Sequence, residues 1–338
     1  MSGDTDIHSL VVGREAMACR FEIVFNAGEH PQDTEAALTA LDLIDEIESH
    51  ISIYRDASEL SRLNATAATD WQPVSADLFA LLETALELYD RTGGGFDIAA
   101  GRLVRSWGFL ARQGRTPSAT DRAAALAASG SRWLELDPAG RRIRFTRPGV
   151  ELNPGAIGKG WAVDRAVDRL LSAGITSCLL HGGSSSVRAI GRQGPGANDD
   201  QRGWPVGVRH PLRPAVRLAT VVLVDQALGT SGSGTQFFIH RGRKLGHILD
   251  PRTGHPAEGV ISATVLAPTA AEADALATAA YVLGPAGLPV IAPPGGPVAA
   301  MLTLPGNAAE IDLIIANIAE SALAIDDSRG VRVDWIRS

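Results

Sequence analysis

The chain has 338 residues, enough for one large domain or two modest ones around a substantial core. Hydrophobic residues make up 45% and charged residues 20%, an ordinary globular balance. The net charge of −7, with no long basic run, argues against nucleic acid or an anionic membrane surface as a partner. An anionic nucleotide stays open, because a local positive field or a metal ion can overcome a weakly acidic average.

Aromatic residues are only 5% of the chain, so the predicted core is built mostly from Ala, Leu, Val and Ile. The two cysteines, Cys19 and Cys178, lie far apart without a CxxC, which speaks against structural zinc and supports no disulfide. The opening MSGDTDIHSLVVGREAMACR lacks a charged stretch followed by an apolar one, and Cys19 follows Arg14 and Glu15 too closely to read as a lipidated cysteine. No apolar run approaches the roughly 18 residues of a membrane span. The expected location is therefore cytoplasmic.

In chain order, the reading is an N-terminal extension over 1–16, a strand at about 17–25 and a helix at about 32–50 with Ala37, Leu41, Ile44 and Ile47 on one face. ISIYRDASELSRLN reads as a loop with a short helical turn. A helix at about 75–91 begins at Ser75 and stops at Gly93-Gly94-Gly95. A helix at 120–129 and a hairpin turning at Asp137-Pro138-Ala139-Gly140 follow. The glycine-rich turn at 155–160 opens an amphipathic helix ended by Gly174. Strands are expected at about 176–181, 187–190, 206–210 and 216–224, then a pair at 236–240 and 260–266. Thr269 and Glu272 form a capping-box pattern that starts a helix over 270–283. A helix near 308–323 and a last strand, VRVDWI, close the chain. With neither an internal repeat nor a linker, hairpins mixed with helices predict a single α+β domain over 17–338, with mixed and antiparallel sheets.

Four constellations can carry chemistry. Asp274 and Thr278 stand four residues apart on one helix face, about 6 Å along the axis. A carboxylate and a hydroxyl so placed suit a hard ion such as Mg²⁺; an exposed Asp beside a back-bonding Thr gives the same spacing. Gly155, Gly158 and Gly160, with Lys159 among them, can let a phosphate approach a helix N-terminus, or can simply form a tight turn with a solvated lysine. His247, three residues before Asp250-Pro251, can accept a proton near neutral pH or be structural. Tyr54 and Phe96 offer flat faces for a ring or for core packing. Ser231 is not in a nucleophile elbow, since position 233 is Ser, and there is no HExxH.

Together these stretches resemble the FAD:protein FMN transferase family, also called the ApbE family. The resemblance is carried in order by MACRFEI, SIYRDASELSRLN, GGGFDIAAGRLVRSWGF, GAIGKGWAVDRA, WPVGVRHP, LGTSGS, HILDPRTGHP and APTAAEADALATAAYVLGP. It implies a T-fold-related α+β domain and a Mg²⁺-dependent enzyme. Such an enzyme takes FAD as substrate, breaks its pyrophosphate, attaches FMN through a phosphoester to a Thr or Ser of an acceptor protein and releases AMP. By position, Asp274 and Thr278 resemble the metal ligands, joined by a backbone carbonyl at Gly158. Tyr54 resembles the residue that stacks on the isoalloxazine ring. Met17, Gly95, Phe96, Asp97, Lys159, Asp164 and Ser231 resemble dinucleotide contacts, and His247 the base beside the reacting phosphate.

The sequence departs from the family's pattern in places. The family's Gly-Gly-Asp is replaced by HGGSSS over 181–186, Cys19 stands where Thr is usual, and many members are exported lipoproteins. Hydrolysis of FAD to FMN and AMP, or flavin binding without chemistry, would use the same resemblance.

Overall fold

Nine strands lie side by side in the order in which the chain makes them in the computed structural model, which describes residues 8–194, 203–232, 234, 236–306 and 310–336. They are β1 (Ser9–Ala16), β2 (Cys19–Asn26), β3 (Cys178–Gly182), β4 (Ser186–Ile190), β5 (Ala227–Gly232), β6 (Ser262–Ala267), β7 (Ala299–Pro305), β8 (Ile311–Ala316) and β9 (Val331–Ile336). Neighbours pair antiparallel throughout except β8 and β9, which run parallel.

Period-two alternation gives this sheet two apolar faces. Phe21, Ile23 and Phe25 of β2 and Ala263, Val265 and Ala267 of β6 turn to the face covered by helices α1 (Asp33–Ile51), α2 (Ala76–Arg91), α3 (Gly158–Ser172) and α4 (Ala270–Leu283). Val187 and Ala189 of β4 and Ile311, Leu313 and Ile315 of β8 turn the other way, under a three-stranded sheet of Trp204–Arg209, Arg217–Leu223 and Leu323–Ile325. A smaller cluster of Leu103, Trp107, Phe109, Ala125 and Leu249 sits apart. The result is α+β, as expected, and is built in three layers. No helix of the described residues is long and apolar enough to cross a membrane.

The helices expected at 32–50, 75–91, 120–129 and 270–283 are found as Asp33–Ile51, Ala76–Arg91, Ala119–Ala127 and Ala270–Leu283. Four expectations need correction. The segment before Met17 is not wholly an extension, because Ser9–Ala16 pairs along its whole length with β2 while Leu10 and Val12 pack on the core. The turn expected within SIYRDASELSRLN is a helix of 8 residues, Glu59–Thr66, whose N-cap Ser58 accepts the Ser61 N–H at 3.0 Å. The strand at 236–240 does not pair with 260–266; Arg241 and Gly242, both at positive φ (50° and 77°), fold Phe237–His240 back onto Arg243–Gly246.

The fourth correction is the helix expected near 308–323. Residues 308 and 309 lie outside the described residues, and Ile311–Ala316 is strand β8. Its Ile311, Leu313 and Ile315 face one layer and Ile314 and Ala316 the other, so both faces are apolar and the alternation that marks a strand is lost.

Candidate active site

Helix α4 is alanine-rich and buried on nearly every side, which fits a helix hydrophobic all round. Two glycines allow its close approach. A Cβ on Gly160 would lie 2.1 Å from the Ala270 carbonyl oxygen, and one on Gly229 would lie 2.5 Å from the Ala273 carbonyl oxygen. The start of α4 is held twice. Thr269 accepts the Glu272 N–H at 3.3 Å, while the Glu272 carboxylate turns away to Arg91 at 2.5 Å, so the capping box closes on one side only. Asp164 of α3 accepts the Ala270 and Ala271 N–H groups at 2.9 and 2.8 Å and pairs with Arg188 at 2.7 Å.

This fixes the second turn of α4 over the glycine bend. Asp274 is buried, and its Oδ2 accepts the Gly160 N–H at 2.8 Å and the Ser186 hydroxyl at 2.7 Å. Both side-chain hydrogen bonds fall on Oδ2, leaving Oδ1 for another ligand. Burial pushes the Asp274 carboxyl up to about 6, against the pull of the Lys159 charge and the bonds from Ser186 and Gly160. Lys159 donates to the hydroxyls of Ser185 and, at 3.2 Å, of Ser186. One turn on, Thr278 meets the Ser231 hydroxyl at 2.9 Å and back-bonds to the Asp274 carbonyl at 3.3 Å. The Thr278 back-bond is thus present, but Asp274 beside it is buried rather than exposed.

Among the described residues, no group of three or more His, Cys, Asp and Glu side chains can hold a metal ion. What exists is one carboxylate oxygen, one hydroxyl and nearby backbone. That suits a hard divalent ion completing its shell from phosphate and water, and does not suit zinc.

The rim is built from several turns. Met17 and Ala18 occupy a two-residue hairpin turn at φ 49° and 57°, unusual for side-chain-bearing residues, and the Met17 N–H donates to Glu48 at 2.8 Å. Cys19, just past this turn, packs against Gly183 in the β3–β4 turn, and burial raises its thiol pKa against the pull of the Lys159 charge. Tyr54 follows α1 and is 72% exposed, the most exposed large apolar surface of the described residues. Gly95 lies against Leu283 at the end of α4, with Gly94 beside Arg252.

His247 sits at the foot of the hairpin Phe237–Gly246. Its Nδ1 is 3.1 Å from the Gln236 carbonyl and its ring is edge-on to Phe109. A carbonyl can only accept, so Nδ1 carries the proton and Nε2 is left as the acceptor. Burial lowers its pKa, partly offset by the Gln236 bond.

The structure thus joins Asp274, Thr278, Ser231, Lys159 and the glycine bend directly, with Met17 on the neighbouring turn. It corrects other assignments. Asp164 is 3% exposed and spent on the α4 N-terminus and Arg188, so it is no ligand contact. Phe96 is a core side chain at 1% exposure, leaving only its backbone for a ligand. Asp97 is occupied by Ala99 N–H at 2.8 Å and by the Ser131 hydroxyl at 2.6 Å, and burial raises its pKa. Gly158 opens α3, where its carbonyl can accept a helix bond and keep a second lone pair for a ligand. Sequence reasoning missed Ser186, Glu48 and Gln236 as partners of site residues. None sits in a motif, and only the departure at 181–186 drew attention to Ser186.

Fold and site together define an α+β protein that presents a buried carboxylate, a hydroxyl and a lysine around a glycine bend. The model of the ApbE family matches residues 17–302. The FAD:protein FMN transferase of Treponema pallidum is 34% identical over 252 residues, 72% of this chain and 69% of that protein. That of Rhodobacter capsulatus is 36% identical over 236 residues, 69% of this chain but only 44% of its relative. Among solved structures, the ApbE protein of Thermotoga maritima superposes with a TM-score of 0.80 at 28% identity, covering 90% of this chain and 96% of that one. The Pseudomonas stutzeri flavinyl transferase ApbE gives 0.79 at 27%, covering 92% and 95%. The chain belongs to the ApbE family.

Proposed function

We propose that the chain transfers FMN from FAD to a Ser or Thr hydroxyl of an acceptor protein, releasing AMP. The carrying observation is that Asp274 and Lys159, far apart in sequence, converge on Ser186 beside the glycine bend, where a pyrophosphate can lie against a helix N-terminus. The names of the similar proteins support the same activity.

In this reading Asp274 Oδ1 and the Thr278 hydroxyl hold Mg²⁺ with one backbone carbonyl. The backbone carbonyl would come from the glycine bend at Gly158, where the Gly160 N–H is already turned to Asp274. Bound Mg²⁺ supplies charge neutralisation to the pyrophosphate oxygens. Lys159 adds its charge to the same oxygens. Tyr54 stacks on the isoalloxazine ring, and Met17, the Gly95-Phe96-Asp97 backbone and Ser231 line the dinucleotide. His247 Nε2 takes the acceptor's hydroxyl proton as its oxygen forms a bond to the FMN phosphorus and the phosphorus–oxygen bond to AMP breaks.

The test is incubation of the chain with FAD, Mg²⁺ and a candidate acceptor, followed by gel fluorescence and nucleotide analysis. A fluorescent acceptor band with AMP supports transfer. Free FMN and AMP without a band would make the chain a pyrophosphatase, and unchanged FAD would make it a binding protein.

A further inference from the structure

The hairpin Phe237–His240/Arg243–Gly246 is amphipathic in a way the fold does not use. Its inner face is anchored: Phe238 packs on Gly114, Trp107 and Phe109, and Leu245 on the same cluster. Its outer face shows Phe237 and Ile239, 45% and 71% exposed. Phe237 stands opposite Gly246 and takes the Lys244 side chain over one face of its ring, and Ile239 stands opposite Lys244. Among the described residues neither strand has a second partner, so both backbone edges are open.

Charge singles out the same element. Between Phe237 and Gly246 there is no Asp or Glu, while Arg241, Arg243 and Lys244 are all exposed, in a chain whose net charge is −7. Arg243 reaches Glu258 at 2.8 Å, and Lys244 lies 4.1 Å from the centre of the Phe237 ring. At the base, the Gln236 carbonyl receives both the His247 N–H, at 3.2 Å, and its ring. His247 is thereby fixed at the base of the hairpin.

We propose that this hairpin is the docking surface for the acceptor protein, which lays an extended acidic segment along an open edge and delivers its hydroxyl at the His247 end. The inference rests on the transferase reading and names the kind of partner it acts on. An open edge supplies backbone donors and acceptors in register, which a polypeptide can satisfy and a lipid surface cannot. Alternate apolar side chains of the incoming strand meet Phe237 and Ile239, and its carboxylates meet Arg241 and Lys244.

The probe is a fluorescein-labelled peptide, Leu-Asp-Leu-Asp-Thr-Asp-Leu-Asp-Leu, titrated into the full chain with FAD and Mg²⁺, against the same peptide with Lys for every Asp. The expected result is preference for the acidic peptide and a loss of affinity on the order of tenfold in the doubly substituted Ile239→Asp, Lys244→Glu chain. FAD affinity should be unchanged in that variant. Equal binding of both peptides, equal binding by the variant, or binding to phosphatidylglycerol vesicles in place of the peptide overturns the docking surface. Failure of the unsubstituted chain to label a candidate acceptor with FMN overturns the transferase reading instead, and the peptide titration still decides the surface.

Discussion

Asp274 is held by two donors yet buried enough that its carboxyl titrates near 6, where an unfolded chain would titrate at 3.8. A raised acid pKa means that the folded state holds the proton longer. As pH climbs from about 4 to 6, the metal-free fold gives up roughly 3 kcal/mol at this one residue. The cost is then carried in full at neutral pH, and an ion bound to the carboxylate relieves it. In thermal melts without metal, the difference between the unsubstituted chain and Asp274→Asn should therefore grow in favour of the variant as pH rises through that window. Mg²⁺ should stabilise only the unsubstituted chain, and parallel melting curves at both pH limits would contradict this. Mg²⁺-dependent FAD turnover should be absent from Asp274→Ala. At His247 the sign is the reverse. Burial lowers the pKa below the ordinary 6.5, so the imidazole is neutral at pH 7 and transfer should fail only on the acid side, with a midpoint below 6.5. His247→Gln should slow acceptor labelling by about 10²–10⁴-fold with FAD affinity unchanged, which a fluorescence titration can check.

At the scale of elements, legibility in the sequence followed the local signals. Helix α4 was marked at both ends, by Thr269 and by Gly284-Pro285, and α3 by its glycines and Gly174, so both were found with their site residues. Strand β8 was not, because a strand covered on both sides loses the alternation by which strands are recognised. The hairpin at Arg241-Gly242 was lost for a related reason: its partner strand, RKLG, is too polar to read as one. The site followed the same division. Spacing revealed Asp274 and Thr278, but the roles of Asp164 and Ser186 depend on elements brought together from far along the chain. The contact between α3 and α4 is where such long-range information is concentrated. Gly160→Ala would drive a methyl group into the Ala270 carbonyl, a backbone atom that cannot step aside. It should cost about 2 kcal/mol in urea unfolding and weaken Mg²⁺ binding with it, because the Gly160 N–H and Asp274 move together. Asp164→Ala should destabilise by about 3 kcal/mol, since it leaves Arg188 without its buried partner and two N–H groups of α4 uncapped.

For the whole molecule, the question is where the working unit begins. The family match starts at residue 17, and the sequence suggested an extension before it, yet the main sheet starts at β1. β1 closes the edge of β2 over eight paired positions, from Ser9↔Asn26 to Ala16↔Cys19. It buries Ala16, packs Leu10 and Val12 on the core, and ties the sheet to α1 through Arg14, which reaches Asp42 at 2.5 Å and Asp45 at 2.7 Å. Those ion pairs are largely exposed and contribute little. The apolar contacts and the covered edge matter more, at about 3 kcal/mol for the partly buried side chains. β1 also forms one side of the turn that holds Met17 and Ala18 at positive φ, a conformation neither residue would keep without both strands. A chain starting at Met17 should therefore melt lower, by on the order of 5–10 °C, and scatter light on standing as β2 becomes an open edge. It should also bind FAD more weakly, because the Met17 turn would no longer be fixed against Glu48. Melting, light scattering and FAD titration separate these effects. A truncated chain identical in all three would return residues 9–16 to the role of a dispensable extension, and the sheet that carries the site would then begin at β2.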